Sequence, residues 1–164
     1  MSLASKFVAT ASLAISLTLS ANAQAPQIEK NVSMKMAVMV IEGTFERCTK
    51  DGHRVAVVVV DRAGNIVASL RGDGTKPHMM EFARLKAYTA VTNPRGMTTL
   101  EFRKLAEERP HLKQIPNLVL VGGGVPIKVG NEIIGAVGVS GAPGEELDET
   151  CAHAGIAKVA SSLN

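Results

Sequence analysis

The sequence has 164 residues, of which 46% are hydrophobic and 20% are charged. At roughly 100 to 200 residues per domain, this length fits one globular domain, and the apolar content excludes a disordered chain. The net charge of +3 comes from 18 basic and 15 acidic residues scattered along the sequence, and the chain has no Trp and one Tyr. Because a nucleic-acid surface needs clustered basic residues and usually stacking aromatic side chains, we expect no nucleic-acid partner.

The first segment is typical of a secretory signal peptide. An apolar stretch over 7–21 ends in the small-residue motif Ala21-Asn22-Ala23. The stretch is shorter than the roughly 20 residues that span a bilayer, which disfavours a membrane anchor. We predict a signal peptide over 1–23 and a secreted or periplasmic mature domain over 24–164 that is free of the membrane, with cleavage after Ala25 as the second choice.

The mature chain begins with a predicted helix and a predicted β-hairpin. Apolar residues recur at helical spacing from near Asn31 or Ser33 and stop at Asp51-Gly52. The segments 53–60 and 66–70 flank a turn that contains Gly, which predicts two antiparallel strands. The first of these strands ends in four consecutive valines, so we expect it to be covered on both faces.

Two helices follow the hairpin. Pro77 is suited to the first turn of a helix, and the apolar pattern after it continues to about Val91. Thr98 and Glu101 form a capping-box pattern, which predicts a short helix over 99–108.

The last part of the chain predicts strands and a closing helix. Segment 118–121 has the composition of a buried strand, and segments 125–129 and 132–140 are separated by a two-residue hairpin signal. A helical pattern over 145–163 ends the chain. Because tight turns join consecutive strands, the order of elements predicts an α/β domain with a largely antiparallel sheet.

Two cysteines, Cys48 and Cys151, lie on the first and last predicted helices. Two buried free thiols are the expectation, because the sequence does not supply the Cα separation that a disulfide needs. A disulfide is the alternative, since it would close a long loop in a compartment that permits it.

The run Gly122, Gly123 and Gly124 allows backbone amides to approach an anion closely. The run lacks the GKS or GKT ending of a phosphate loop, and a strand follows it where a phosphate loop needs a helix. We therefore interpret it as a bulge or as a place where a ligand or a neighbouring subunit packs against the sheet, and we keep the three glycines as candidate ligand contacts.

Among the histidines, His78 is the strongest candidate for chemistry. It follows the loop 73–77 at a helix start, beside Met79 and Met80, and an imidazole or thioether there can ligate haem iron. A surface histidine in a first helical turn also needs no ligand, so both interpretations stay open. Lys86, on the same helix, either binds an acidic ligand group or extends from a packed face.

Three stretches resemble the GlcG/HbpS family, which includes the C-terminal domain of PduO-type proteins. The resemblance covers essentially the whole mature chain. Its motifs are Arg71 to Gly74 followed by Lys86 to Ala90, the GGGVPI segment over 122–127, and the IGAVGVSGA segment over 134–142 with Asp148, Cys151-Ala152 and Ala154 to Ile156.

The resemblance implies a profilin-like, three-layer α/β/α domain with a five-stranded antiparallel sheet. It also implies homo-oligomers that bind haem, with secreted members acting in extracellular haem and iron handling. Haem ligands in the family are not carried by one fixed motif, so His78 is assigned from its position as the candidate iron ligand. Arg71, Lys76 or Lys86 would then lie near the haem propionates.

The preferred hypothesis is thus a secreted, oligomeric protein that binds haem or a related planar tetrapyrrole. One alternative is an oxidative haem-degrading enzyme that acts at the same cleft, and another is an accessory module that binds a protein partner. The sequence offers no set of acid, base and nucleophile, so we predict no catalytic residues and prefer a binding protein to an enzyme.

Overall fold

The computed structural model describes residues 27–163. The predicted signal peptide and its cleavage sites lie outside these residues. Within the described range, none of the helices combines the length and the hydropathy that are required to traverse a bilayer. The elements are α1 (Met34–Lys50), β1 (Ala56–Asp61), β2 (Ile66–Arg71), α2 (His78–Thr92), α3 (Thr99–Glu108), β3 (Gly124–Val129), β4 (Glu132–Ser140) and α4 (Glu145–Ala157), with short 3₁₀ turns over Pro110–Gln114 and Ala160–Ser162.

The four strands form one antiparallel sheet in the order β2-β1-β4-β3. The two hairpins that the sequence predicts are confirmed, and β1 pairs with β4 to join them. Val57 to Val60 on the central strand β1 are buried, as expected for a strand that is covered on both faces. The α/β fold with an antiparallel sheet is therefore confirmed.

Helices cover both faces of this sheet. On one face, Val57 and Val59 pack with buried residues of α1 and α4. On the other face, Val58 and Val60 pack against a row of alanines on α2. The side chains of β1 therefore divide the core into two apolar layers, as the alternation of a strand requires.

The prediction of a fifth strand is not confirmed, because residues 27–163 contain four. Segment 118–121, which we predicted as a strand, is irregular. Its Val119 amide donates to the Thr89 hydroxyl on α2 at 2.9 Å instead of to a neighbouring strand. Asn117, just before the segment, has a φ of 63°, which also interrupts an extended backbone.

The helix boundaries follow local capping chemistry. The Ser33 hydroxyl accepts a hydrogen bond from the Met36 amide at the start of α1. The predicted capping box of Thr98 and Glu101 is present at the start of α3. The predicted final helix is shorter than expected, since α4 ends at Ala157 and a turn with 3₁₀ geometry follows it.

Cys48 on α1 and Cys151 on α4 form a disulfide, with Cα atoms 5.5 Å apart. The expectation of two free thiols is therefore wrong. The helices approach closely because Gly155 of α4 lies against α1, where a Cβ atom would collide with the Thr44 hydroxyl and the Val40 carbonyl oxygen. The disulfide therefore crosses a tightly packed contact between the first and last helices.

Candidate functional site

A cleft lies where α2 begins and the loop between β4 and α4 passes over the sheet. It consists of two cavities of about 210 and 200 Å³ that share Met79 and Gly141, and we call the pair the α2 cleft. The first cavity is lined by Arg54, Gly74, Thr75 and Lys76 in addition to the shared residues. The second is lined by Phe82 and Lys86 from α2, Ser140 from β4, the loop over 141–144, and Glu145 and Asp148 from α4.

A buried ion pair forms the floor of the second cavity. The Lys86 Nζ lies 2.7 Å from Asp148 Oδ2, and the two side chains are 2% and 5% exposed. Lys86 also donates to the Val139 carbonyl oxygen at 3.0 Å, and Asp148 Oδ1 accepts from the Ala142 amide at 3.0 Å. Since an isolated buried charge is very unfavourable, the charged form of each residue depends on the opposite charge of the other for its stability.

Burial dominates the electrostatics of this pair. It lowers the pKa of Lys86 and raises the pKa of Asp148, while the attraction between the two charges acts in the opposite direction on both. The Lys86 ammonium also lies 5.6 Å from the centre of the Phe82 ring, which faces the cavity. The pair therefore ties α2 to α4 and presents little free charge to a ligand.

The glycine run packs around this pair. A Cβ atom on Gly123, which has a φ of 112°, would lie 2.7 Å from Asp148 Cβ and 3.0 Å from Lys86 Nζ. The Gly122 amide donates to the Glu145 carboxylate at 2.6 Å, and the Gly124 amide donates to the Thr99 hydroxyl at 2.9 Å. These two amides already have partners within the chain, so the structure places the glycines as packing elements behind the cleft.

The structure brings some of the predicted ligand residues together. Lys76 lines the α2 cleft, and Lys86 lies at its floor. His78 is the exposed first residue of α2 and precedes Met79, which lines both cavities. Arg71 lies at the end of β2, where its guanidinium donates to the Thr75 carbonyl oxygen and holds the loop before α2.

Sequence reasoning missed two residues of this site. Asp148 is part of the family resemblance but was given no role in the site, since acidic residues are common in the first turn of a helix and their spacing does not show which of them is buried. Arg54 belongs to no motif and becomes part of the cleft through the fold alone. The alanines at positions 83, 87 and 90 were the available signal that Lys86 lies on a buried helix face.

Other titratable groups lie away from the cleft. His153 on α4 lies 3.9 Å from Glu149, and its interaction with that carboxylate raises the pKa of His153 while burial opposes the change. Burial favours a higher pKa for Glu149, but hydrogen bonds from His153, Thr98 and the Gly123 amide lower it overall. In the part of the chain that the structure describes, no three His, Cys, Asp or Glu side chains are grouped so that they could hold a metal ion.

A larger open groove of about 660 Å³ lies elsewhere, between α1 and the edge strand β2. Its lining includes Ile41, Phe45 and Leu70, and it contains none of the predicted ligand residues. We therefore place the candidate site in the smaller α2 cleft, where cationic and apolar side chains converge.

The fold and the cleft define a mixed α/β domain with an antiparallel sheet, helices on both faces and a small pocket at one end. A family model described as "Haem degrading protein HbpS-like" matches residues 32–157. The chain belongs to this HbpS-like family, and the resemblance to GlcG and HbpS is thereby confirmed.

Individual relatives agree with this assignment. Protein GlcG of Escherichia coli K12 is 33% identical over 109 residues, which cover 66% of this chain and 81% of GlcG. The crystal structure of a double mutant of Streptomyces reticuli HbpS has a TM-score of 0.77 at 34% identity and covers 94% of this chain and 97% of that one. A PduOC:heme complex has a TM-score of 0.70 at 24% identity, with coverage of 79% and 96%, and shows likeness of fold alone.

Proposed function

We propose that the mature chain is a secreted, homo-oligomeric protein that binds haem or a related tetrapyrrole at the α2 cleft, with His78 as the iron ligand. The family description, which names haem, supports the ligand class. The observation that carries the site is the convergence of Arg54 and Lys76 with Met79 and Phe82, beside the exposed His78. Cations, apolar side chains and an imidazole suit the carboxylates, the ring and the iron of a haem, respectively.

The size of the cleft determines how the ligand would lie. Cavities of about 210 and 200 Å³ are smaller than the roughly 300 to 1,000 Å³ of sites that enclose a drug-sized ligand. The cleft of one chain therefore takes an edge of the tetrapyrrole and leaves much of the ring outside. A second copy of the chain that covers the ring would give homo-oligomerisation a direct role in binding.

Secretion is supported by chemistry in the described part of the chain. The Cys48–Cys151 disulfide is typical of an oxidising compartment, such as the bacterial periplasm or the exterior of the cell. It therefore agrees with a signal peptide over 1–23, whose removal leaves the mature domain that we propose as the working protein.

Titration of the mature chain with haemin tests this proposal. We expect a saturable shift of the Soret band in the wild type, and a weaker or spectrally altered complex in His78→Ala because the iron loses its imidazole ligand. His111→Ala is the matched control, since His111 is also exposed and lies at the start of a short helical turn. A wild type without a saturable shift would overturn haem binding, whereas an unchanged spectrum in His78→Ala would overturn only the ligand assignment.

A second candidate function, oxidative haem degradation, is favoured by membership of a family that is described as haem-degrading. It predicts that the haemin complex loses its Soret absorbance in the presence of peroxide faster than free haemin does under the same conditions. Loss at the rate of free haemin, or slower, would overturn the degradation function and leave haem binding as the proposal. The His78→Ala complex is the control, because iron chemistry that depends on the protein should change with the iron ligand.

A further inference from the structure

We propose that Arg54 and Lys76 form a carboxylate-binding subsite in the α2 cleft, which receives the two carboxylate groups at one edge of the tetrapyrrole. The inference rests on the proposed function and specifies which end of the ligand enters the cleft. It assigns a binding role to Arg54, a residue that no sequence motif indicates.

Two cations from separate parts of the chain converge on this subsite. Arg54 precedes β1, and Lys76 precedes α2, yet both line the same cavity of about 210 Å³ together with Met79. Two like charges that face one cavity repel each other unless an anion lies between them. A ligand with two carboxylates would relieve this repulsion.

Both cations are available to a ligand. The ion pairs found in residues 27–163 include neither Arg54 nor Lys76. Lys86, by contrast, is bound to Asp148, and the Arg71 guanidinium holds a loop carbonyl oxygen. Two of these four cations are therefore used by the fold, and the other two remain for a ligand.

The acidic groups near the subsite lie outside the lining of its cavity. Asp73 lines a neighbouring cavity with Arg54 but forms no ion pair with it among the described residues. Asp148, in the adjoining half of the cleft, is neutralised by Lys86. The lining of the first cavity therefore contains two cations and no carboxylate, which favours an anionic group.

The Arg54 side chain lies beside the loop that carries Lys76. Gly74 has a φ of 73°, and a Cβ atom there would lie 3.1 Å from Arg54 Nη1 and 3.3 Å from Arg54 Cδ. The backbone of Arg54 is itself packed against Gly141, which has a φ of 138° and whose Cβ would collide with the Arg54 carbonyl oxygen. The exposed guanidinium thus lies against the Gly74 backbone, beside the loop that carries Lys76, and its planar shape suits two parallel hydrogen bonds to a carboxylate.

Comparison of haemin with haemin dimethyl ester tests the subsite, because the ester keeps the ring and the iron but has no free carboxylate. We expect the wild type to bind haemin about tenfold more tightly than the ester, since charge-assisted hydrogen bonds at a partly solvated site are worth roughly that factor. The Arg54→Gln/Lys76→Gln double variant should lose this preference, with its affinity for the ester unchanged. Lys104→Gln, which removes an exposed charge on α3, should retain it.

The outcomes separate this inference from the proposed function. Saturable haemin binding with equal affinity for the ester in the wild type overturns the subsite and leaves haem binding intact. An equal loss of affinity for both ligands in the double variant also overturns it, because the carboxylates would then not be the groups recognised. Failure of the wild type to bind either compound overturns the proposed function and the subsite together. The wild-type comparison can overturn the subsite even if the double variant does not fold, and the single variants Arg54→Gln and Lys76→Gln would then locate the preference.

Discussion

Replacing both Cys48 and Cys151 with alanine should reduce the free energy of unfolding by about 4 to 5 kcal/mol. The disulfide links residues separated by 103 positions, and a cross-link that closes a loop of this length greatly restricts the unfolded chain. A domain of this size has a total stability of about 5 to 15 kcal/mol, so the loss should be visible as a large shift of the denaturant midpoint. Equilibrium unfolding in guanidinium chloride measures it.

Thiol titration under denaturing conditions provides the control for this prediction. The wild type should show no reactive thiol until a reductant is added, and Cys48→Ala alone should show one. Both sulfurs are buried, so the reductant should act on the unfolded chain much faster than on the folded one. Two free thiols in the unreduced wild type, or a stability loss below about 1 kcal/mol, would contradict the disulfide as a main source of stability.

The disulfide could not be predicted because the sequence does not show how closely two helices approach each other. The helical pattern placed both cysteines on helices but gave no distance between those helices. The information lay in Gly43 and Gly155, two glycines inside predicted helices, where glycine costs stability relative to alanine. Each lies where the backbones of α1 and α4 pass closely, and Gly155 has no room for a side chain. Glycine inside a predicted helix thus indicates a close contact with another helix, but the sequence does not show which helix that is.

Elements governed by local chemistry were predicted well. The Thr98 capping box fixed the start of α3, and the turn at Gly130 and Asn131 fixed the hairpin of β3 and β4. Segment 118–121 was predicted wrongly because a short apolar run does not distinguish a strand from an irregular buried segment. Its actual partner, Thr89, lies 30 residues away along the chain, and no periodicity reports such a contact.

The candidate site shows the same limit. Lys76 and His78 could be selected because both lie at a recognisable junction of a loop and a helix. Arg54 and Asp148 reach the cleft only through the position of β1 in the sheet and the packing of α4 on it, which are properties of the whole fold. Lys86 was selected for a ligand role, but the structure gives its ammonium a protein partner that is 62 residues distant.

Replacing Lys86 alone with methionine should reduce the free energy of unfolding by about 3 to 5 kcal/mol. The substitution keeps the length of the side chain but leaves the Asp148 carboxylate buried without its counter-charge, which is the costly situation for an ion pair. The Lys86→Met/Asp148→Leu double variant should recover much of this loss, because neither side chain is then charged in the core. Unfolding in guanidinium chloride for both single variants and the double variant completes a thermodynamic cycle.

Arg84→Met is the matched control for this cycle. Arg84 lies on the same helix and is 2.7 Å from Glu81, the same separation as in the buried pair, but its side chain is 33% exposed and that of Glu81 is 61% exposed. Its loss should change the stability by less than about 1 kcal/mol, since water already solvates both charges. An effect of Lys86→Met no larger than that of Arg84→Met would contradict the importance of the buried pair. A double variant as unstable as Lys86→Met would instead assign the main role to hydrogen bonds with the backbone. Lys86 donates to the Val139 carbonyl oxygen and Asp148 accepts from the Ala142 amide, and these two bonds would then maintain the shape of the cleft.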